Sequence, residues 1–184
     1  MLPRRPILPA GRSFLYARMP LMNYKQFFLS ELDREIPITT KMLSRFPSGK
    51  SDWKPHDKSM KIGDLAGHIA QLPNFVANIA VSDSYDMKDW KMPAYPDTAE
   101  ELVKVFDEVS SNLRTVLEDM DEEGFDKEWS FMYEGKLIFA LPKAHVIQSF
   151  FINHMVHHRA QLGVYLRLLD IPVPGTYGPS ADEQ

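Results

Sequence analysis

A regular apolar stripe between residues 98 and 120 constrains the fold more than any other feature of this sequence. Its apolar side chains recur at alternating steps of four and three residues, at Leu102, Phe106, Val109, Leu113, Val116 and Met120. This spacing is typical of a helix that lies along the seam of a helical bundle. Thr98 and Glu101 open the segment with the spacing of a capping box, which marks the start of a helix.

Three further segments have the apolar periodicity of helices. We predict helices over residues 24–46 and 62–81, and from about Pro142 to Asp170. Pro37 should bend or break the first of them, whereas Pro142 is tolerated because it lies in a first turn. The predicted fold class is therefore all-α, a four-helix bundle.

A small β-hairpin is predicted between the third and fourth helices. Aromatic and apolar residues alternate on both sides of the turn Glu134-Gly135-Lys136, at Trp129, Phe131, Tyr133, Leu137, Phe139 and Leu141. Such alternation around a glycine-containing turn is typical of two paired strands. The tail, residues 171–184, contains three prolines and two glycines and should run as an extended loop.

The first 21 residues differ from the rest of the chain. They carry four arginines and four prolines before any acidic residue, and their apolar stretch is too short for a signal-peptide core. We interpret residues 1–21 as a disordered arm, or as an over-extended start of the sequence with true initiation at Met19 or Met22. An Arg-rich targeting peptide is the alternative. Residues 22–184 then form the one helical domain.

Charge and composition limit the classes of partner. The net charge of -4 argues against nucleic acid, and no run of apolar residues is long enough for a membrane span. These features predict a cytoplasmic protein that acts on a small molecule. The chain has no cysteine, so any thiol chemistry would use a thiol from outside.

Three histidines are predicted to face the core. With a step of about 100° per residue, His158 lies about 40° from His154, on the same stripe as Ile147 and Phe151. His68 falls among the inward residues of the second helix by the same construction. His157 lies at about -60°, near the edge of the stripe, which suggests a boundary or supporting role.

The spacing of these histidines predicts a metal site. Residues four apart on a helix have β-carbons about 5–6 Å apart, so one divalent ion can bind both rings and a third ligand from a neighbouring helix. Three histidines leave an open position, which is typical of catalytic zinc sites. The alternative is that the inward rings are hydrogen-bonded core residues. His56 and His145 are expected at the surface.

Two residues are candidates for a catalytic role beside the metal. Asp64 lies one turn before His68 and could orient its ring or act as a base, although an exposed first-turn acid is an equally good interpretation. Tyr165 could donate its hydroxyl to the cavity, and core packing is its alternative. Arg159 is expected at the surface or in an interface. No His-Glu-x-x-His or Glu-x-x-His motif is present, which argues against zinc proteases and ferritin-like di-iron centres.

Three segments together resemble the DinB/YfiT-like superfamily of metal-binding four-helix bundles, which is unrelated to the DNA polymerase of the same name. They are GDLAGHIA at 63–70, NHMVHHRAQL at 153–162 and VPGTYGPSADE at 173–183. The resemblance implies an up-down-down-up bundle, frequent homodimers and a metal triad at His68, His154 and His158. It covers the chain from about Met22 onward.

The resemblance leaves the reaction open, because such proteins include thiol S-transferases, a mycothiol-dependent isomerase, proteins described as hydrolases and many without a known reaction. An ion such as zinc or nickel would acidify either a water or a thiol. We therefore expect a metal-dependent enzyme, with S-transfer from a low-molecular-weight thiol ahead of hydrolysis. A non-catalytic bundle that binds a metal or another ligand is the rival.

A second surface of the fourth helix is predicted to form a homodimer interface. Ile152, Val156 and Gly163 lie opposite the histidine stripe, with Ala160 nearby. A monomeric bundle normally places charged residues there, and an exposed apolar strip often marks an interface. The alternative is that the hairpin or the N-terminal arm covers this face within one chain.

Overall fold

The computed structural model describes residues 23–89 and 93–183, so the predicted N-terminal arm lies outside the described residues. The chain is mostly helical, with four helices and a small three-stranded sheet. The helices are α1 (Tyr24–Leu43), α2 (Ile62–Val81), α3 (Ala99–Asp119) and a fourth built from α4 (Lys143–Ile147), a π-helical turn (Gln148–Asn153) and α5 (His154–Leu168). The strands are β1 (Ser84–Asp86), β2 (Glu128–Tyr133) and β3 (Lys136–Pro142). Two short 3-10 helices cover Met87–Asp89 and Glu122–Asp126.

Side-chain caps fix where two of the helices begin. The Asn23 side chain accepts a hydrogen bond from the Gln26 amide at 2.9 Å, which satisfies one of the free N–H groups of the first turn of α1. Thr98 does the same for α3 by accepting from the Glu101 amide at 3.3 Å. The Thr98 hydroxyl also donates to the Glu101 carboxylate at 3.1 Å. The predicted start of the third helix is confirmed.

Pro37 does not break the first helix, so of the two predicted outcomes, a bend or a break, the break is wrong. α1 continues through Pro37 and ends at Leu43. The proline ring is exposed, whereas Leu32, Glu35 and Thr39 on either side of it are buried. Tertiary packing of both halves therefore outweighs the hydrogen bond that the proline removes.

The core lies where α3 packs against α1 and α2, and where α5 packs against α2. Much of the predicted stripe of α3 is buried there, including Leu102, Phe106 and Leu113. Burying a side chain of this size stabilises the fold by about 1.5–3 kcal/mol. α2, predicted over residues 62–81, has those bounds in the structure.

The predicted hairpin is confirmed, and a third strand joins it. β2 and β3 pair antiparallel, and β1 pairs parallel to β2 on its other side, with Ser84 opposite Ser130. The tight turn holds Glu134 and Gly135 at positive φ. The Asp86 carboxylate at the end of β1 accepts from both of their amides, at 3.0 and 2.8 Å. β1 was missed because three residues are too short for a visible alternation.

The π-helical turn Gln148–Asn153 lies directly before the histidines of α5. A π turn contains more residues per turn than an α-helix, so it rotates the preceding residues relative to a regular 100° step. Ile152, predicted on the back face, is in fact buried with 7% of its surface exposed. That part of the predicted interface is wrong, because Ile152 is buried within the chain.

The tail over residues 171–183 contains no helix or strand, as predicted. Within the two described ranges, no helix is both long enough and apolar enough to cross a membrane.

Candidate metal centre

Three imidazole rings from two helices converge on one point. The Nε2 atoms of His68 and His154 lie 3.3 Å apart, and those of His154 and His158 lie 2.6 Å apart. One ligand atom from each of the three residues lies within 4.8 Å of the other two. α2 supplies His68, and the first two turns of α5 supply the other two. The structure thus brings together the three histidines singled out in the sequence.

The nitrogen separations are compatible with a shared metal ion. Two nitrogens that each lie about 2.0–2.1 Å from a tetrahedral ion are about 3.3–3.4 Å apart. The pair His68–His154 has this separation. The separation between His154 and His158 is shorter, so these rings would have to part slightly around an ion.

The environment keeps the three rings neutral. Burial, with a smaller contribution from charge repulsion by His158, lowers the pKa of His68 to about 4. Burial, with repulsion from the neighbouring histidines, also lowers the pKa of His154 to about 4. Burial lowers the pKa of His158 too, against a hydrogen bond that its ring donates to Gln161 and that raises the pKa. Neutral imidazole is the form that binds a metal, because its free nitrogen carries the lone pair.

Gln161 orients the ring of His158, a contact that the sequence reading missed. The Gln161 side-chain oxygen lies 2.8 Å from Nδ1 of His158. An N–H at Nδ1 donates to this oxygen and leaves Nε2 as the acceptor nitrogen, facing His154. The spacing of three residues on one helix was the available signal.

Gly67 allows Tyr95 to lie against α2 beside His68. A β-carbon added at Gly67 would come within 1.9 Å of Cγ of Tyr95, so no other residue fits at position 67 without moving the ring. The pKa of the Tyr95 phenol is raised by burial and by the nearby carboxylate of Asp64. Tyr95 was not identified from the sequence, because it lies in an irregular segment.

The remaining histidines lie outside the cluster. His157 is exposed, with its ring centroid 4.9 Å from that of His158, in keeping with a boundary position. His56 and His145 are exposed, as predicted. The Nδ1 atom of His56 accepts a hydrogen bond from the Lys58 amide at 3.1 Å.

The two proposed catalytic residues have different surroundings. Asp64 is half-buried on α2, and its charge acts on Tyr95 and Lys61. The Tyr165 hydroxyl donates to the carbonyl of Met60 at 3.2 Å, and its ring makes an edge contact with Trp53. Neither side chain is hydrogen-bonded to the three histidines in the described part of the chain.

Arg159 was expected at the surface or in an interface, and the structure corrects this. Only 2% of its surface is exposed. It donates to Glu35 at 2.7 Å, to Thr39 at 2.8 Å and to the hydroxyl of Tyr177 at 2.6 Å. Around Arg159, the face of α5 opposite the histidines is therefore covered by α1 and by the tail.

A cavity of about 660 Å³ opens beside His68 and His154. Its walls include Phe75 from α2, Phe131 from β2 and Phe150 from the π-helical turn. These residues are far apart in sequence, so their convergence could not be read from spacing. A volume in this range suits a small molecule.

Comparisons with known proteins agree with this architecture. The sequence model of the DinB family matches residues 21–184. The structure is similar to that of a DinB-like protein, YjoA, from Bacillus subtilis, with a TM-score of 0.62 and 18% identity over 86% of this chain and 99% of that one. A DinB-like protein from Bacillus cereus gives a TM-score of 0.63 and 19% identity over 85% and 99% of the two chains. No curated protein matches the sequence significantly.

Proposed function

This chain belongs to the DinB family, and on that premise we propose that it is an enzyme that binds one divalent metal ion through His68, His154 and His158. The observation that carries the proposal is the convergence of three neutral imidazoles on one point. Within the described residues the group contains these three ligands and no fourth histidine, aspartate or glutamate. A four-coordinate ion such as zinc would therefore keep one position for a small molecule.

The residues around the centre support Lewis-acid chemistry. When bound, a divalent ion supplies Lewis acidity that lowers the pKa of a thiol or of water. His68 and His154 contribute neutral nitrogens and leave the charge of the ion uncompensated. Gln161 holds the third ring with Nε2 turned inward. The ion could be zinc or nickel, because imidazole suits both.

We propose transfer of sulfur from a low-molecular-weight thiol as the reaction. The sulfur would form a bond to an electrophilic carbon, its proton would pass through a nearby base to solvent, and the leaving group would depart with the electron pair of the broken bond. The chain has no cysteine, which supports an external thiol as the nucleophile. The cavity beside His68 and His154 provides room for the electrophile.

Asp64 and Tyr165 are proposed to assist as a proton acceptor and a hydroxyl donor. Asp64 has the better support, because it lies one turn before His68 and its charge reaches Tyr95 at the cavity wall. Tyr165 already donates its hydroxyl to Met60, which favours a packing role.

Metal-dependent hydrolysis is the second candidate, because the same centre would acidify water as readily as a thiol. A non-catalytic bundle with a structural metal is the third. Structural zinc sites are closed by four protein ligands, and the three-histidine group argues against closure.

We further propose that the four helices form an up-down-down-up bundle, that residues 22–184 fold without residues 1–21, and that the protein is a cytoplasmic homodimer. The match of the family model from residue 21 onward supports the domain boundary.

Elemental analysis of the purified protein, followed by activity assays, tests the proposal. N-acetylcysteine with 1-chloro-2,4-dinitrobenzene probes S-transfer, and p-nitrophenyl acetate probes hydrolysis. We expect about one divalent ion per chain, thiol-dependent turnover that EDTA abolishes, and loss of both in His68→Ala but not in His145→Ala. A metal-free protein would refute the site, and a metal-loaded protein that turns over only the ester would favour the hydrolase.

A further inference from the structure

The cavity beside the three histidines follows one face of α2. His68, Gln71, Asn74 and Asn78 lie on this face and line the cavity. At 1.5 Å per residue, the face extends about 15 Å from His68 to Asn78. This length accommodates a molecule larger than a single amino acid, with one end at the three-histidine centre.

A continuous series of aromatic rings forms the rest of the wall, beginning at Phe75 of α2 itself. The ring centroid of Phe150 lies 5.8 Å from that of His154 and 5.4 Å from that of Phe75. Tyr85 continues the series from Phe75 at 5.3 Å, and Phe131 lies 6.3 Å from Phe150. Offset and edge-to-face contacts of this kind favour a flat ring as an additional partner.

The polar groups of the cavity are neutral amides. Within the described part of the chain, the side chains of Gln71 and Asn74 have no hydrogen-bond partner, and Asn78 contacts only Ser82. Each amide can donate and accept. They form a hydrogen-bonding edge along the α2 side of the cavity.

None of the described residues that line the cavity carries a formal charge, and positions 90–92 are not among the described residues. The histidines, amides, aromatic rings, Met87 and prolines account for most of the lining. Moving an ionised group into such surroundings is unfavourable unless an opposite charge pairs with it. The described lining therefore selects against cationic ligands, and an anionic group would need the ion of the proposed centre as its counter-charge.

We infer that this cavity binds an uncharged molecule with a planar aromatic ring and an amide or carbonyl group on one edge. The ring lies among Phe75, Phe131 and Phe150, and the polar edge faces the amides of α2. The inference rests on the proposed function in one respect, since this molecule is the electrophile whose reactive end meets the three-histidine centre.

Calorimetric titration with 2-naphthamide tests the inference. We expect saturable binding at one site per chain. Asn74→Leu should weaken it about fivefold, as loss of one hydrogen bond predicts. Phe150→Leu should weaken it by a similar or larger factor through loss of ring contact. Asn112→Leu on the exposed face of α3 and Phe27→Leu on α1 are matched controls and should bind like the unmodified protein.

Two matched probes separate shape from charge. Decahydronaphthalene-2-carboxamide has the same size and amide but no flat ring, and trimethyl(2-naphthyl)ammonium has the ring with a permanent charge. Both should bind at least tenfold more weakly than 2-naphthamide. Equal affinity for the saturated probe would overturn the aromatic requirement, and equal affinity for the cation would overturn the requirement for neutrality.

Metal content measured on the same samples separates this inference from the proposed function. A protein that holds its ion but shows no saturable naphthamide binding overturns the inference alone. A protein that binds naphthamide but never binds an ion overturns the proposed function and leaves the cavity assignment in place. Phe150→Leu could perturb packing. If it melts at a lower temperature than the unmodified protein, the binding test rests on the exposed variant Asn74→Leu instead.

Discussion

The guanidinium of Arg159 lies 2.7 Å from the carboxylate of Glu35, and both side chains are buried. The Tyr177 hydroxyl joins them, donating to Glu35 at 2.8 Å. Thr39 accepts from Arg159 at 2.8 Å, so the α5 guanidinium, two α1 side chains and one tail residue form a single network. Arg159 directly follows His158, which places this network behind the candidate metal centre.

Breaking this buried pair should destabilise the fold strongly. Glu35→Leu leaves the Arg159 guanidinium buried without its counter-charge, and removal of one partner of a buried ion pair typically costs about 3–5 kcal/mol. The double variant Glu35→Leu with Arg159→Met should recover at least half of that loss, because no charge remains unpaired. Urea unfolding followed by circular dichroism measures both.

The control for this prediction is Arg34→Ala. Arg34 donates to the same Glu35 at 3.0 Å, but 54% of its side chain is exposed. Exposed ion pairs contribute about 0–1 kcal/mol. A loss from Arg34→Ala as large as that from Glu35→Leu would contradict the burial argument.

The network also predicts an acid-dependent loss of stability. Burial alone would raise the pKa of Glu35, but hydrogen bonds from Arg159, Tyr177 and Arg34 outweigh it and lower the pKa below its ordinary value of 4.5. The unfolded chain therefore binds the proton more readily than the folded one. The stability contributed by the Glu35 carboxylate is present above pH 4.5 and is lost as the pH falls below it.

Glu35→Gln should remove this contribution. The variant should be less stable at pH 7, and the difference between the two proteins should shrink as the pH is lowered from 4.5 toward 3. Asp33→Asn, at an exposed position on the same helix, is the control. A difference that stays constant across this range would show that Glu35 is not the titrating group.

The sequence predicted much of the fold because its helices have regular apolar faces. α2 and the start of α3 were located correctly. Periodicity turned His68, His154 and His158 toward the core, and the family resemblance implied that they form one triad. The burial of Arg159 was not predictable from α5, because its partners come from α1 and from a tail without regular structure. A helical wheel gives the direction in which a side chain points from its own helix. It does not identify the residues of other segments that the side chain will contact.

Two local features also escaped prediction for physical reasons. The π-helical turn has no sequence marker here, and the burial of Ile152 within it was not predicted. The aromatic wall of the cavity combines Phe75, Phe131 and Phe150 from three separate elements. Their convergence depends on the packing of the sheet against α2, which no single segment encodes.

Single replacement of each clustered histidine should reduce metal content sharply. His68→Ala, His154→Ala and His158→Ala each remove one of three ligands. We expect the unmodified protein to retain about one ion per chain and each variant to retain much less. His157→Ala is the matched control, because its ring is exposed beside His158. Mass spectrometry of the dialysed proteins provides the measurement. Equal loss for His157 with none for His158 would show that the wrong pair was chosen.

Gln161 should act on metal affinity through His158. Gln161→Leu removes the acceptor for the Nδ1 proton, and loss of such a supporting contact typically weakens metal binding about 10–100-fold. Gln161→Glu keeps an acceptor oxygen and should restore most of the affinity. Gln26→Leu at an exposed position of α1 is the control. Competition with a chromogenic chelator measures the metal affinity. If the metal-free Gln161→Leu variant melts at the same temperature as the metal-free unmodified protein, the loss of affinity comes from the position of His158 and not from lower stability.

The proposed homodimer depends on a part of the fourth helix that remains partly open. The tail covers some of the predicted face, because the side chain of Val173 lies 3.6 Å from a β-carbon built on Gly163. Val156 and Ala160 line a remaining groove of about 530 Å³ between α5 and the tail. Val164 and Leu168 at its margin are 59% and 57% exposed. An apolar surface of this kind favours association with another apolar face.

Val156→Glu should shift the protein toward monomer, because a carboxylate buried in a two-fold interface is unfavourable. The two arginines that line the groove, Arg159 and Arg167, already pair with Glu35 and Asp182. Val81→Glu is the control, since Val81 is 71% exposed at the end of α2 and lies outside the groove. Analytical ultracentrifugation at micromolar concentration measures the mass, and far-ultraviolet circular dichroism checks that helical content is retained.

A monomeric unmodified protein would rule out the dimer. If Val156→Glu stayed dimeric while Val81→Glu dissociated, the interface would lie near the end of α2 and not in the groove of α5.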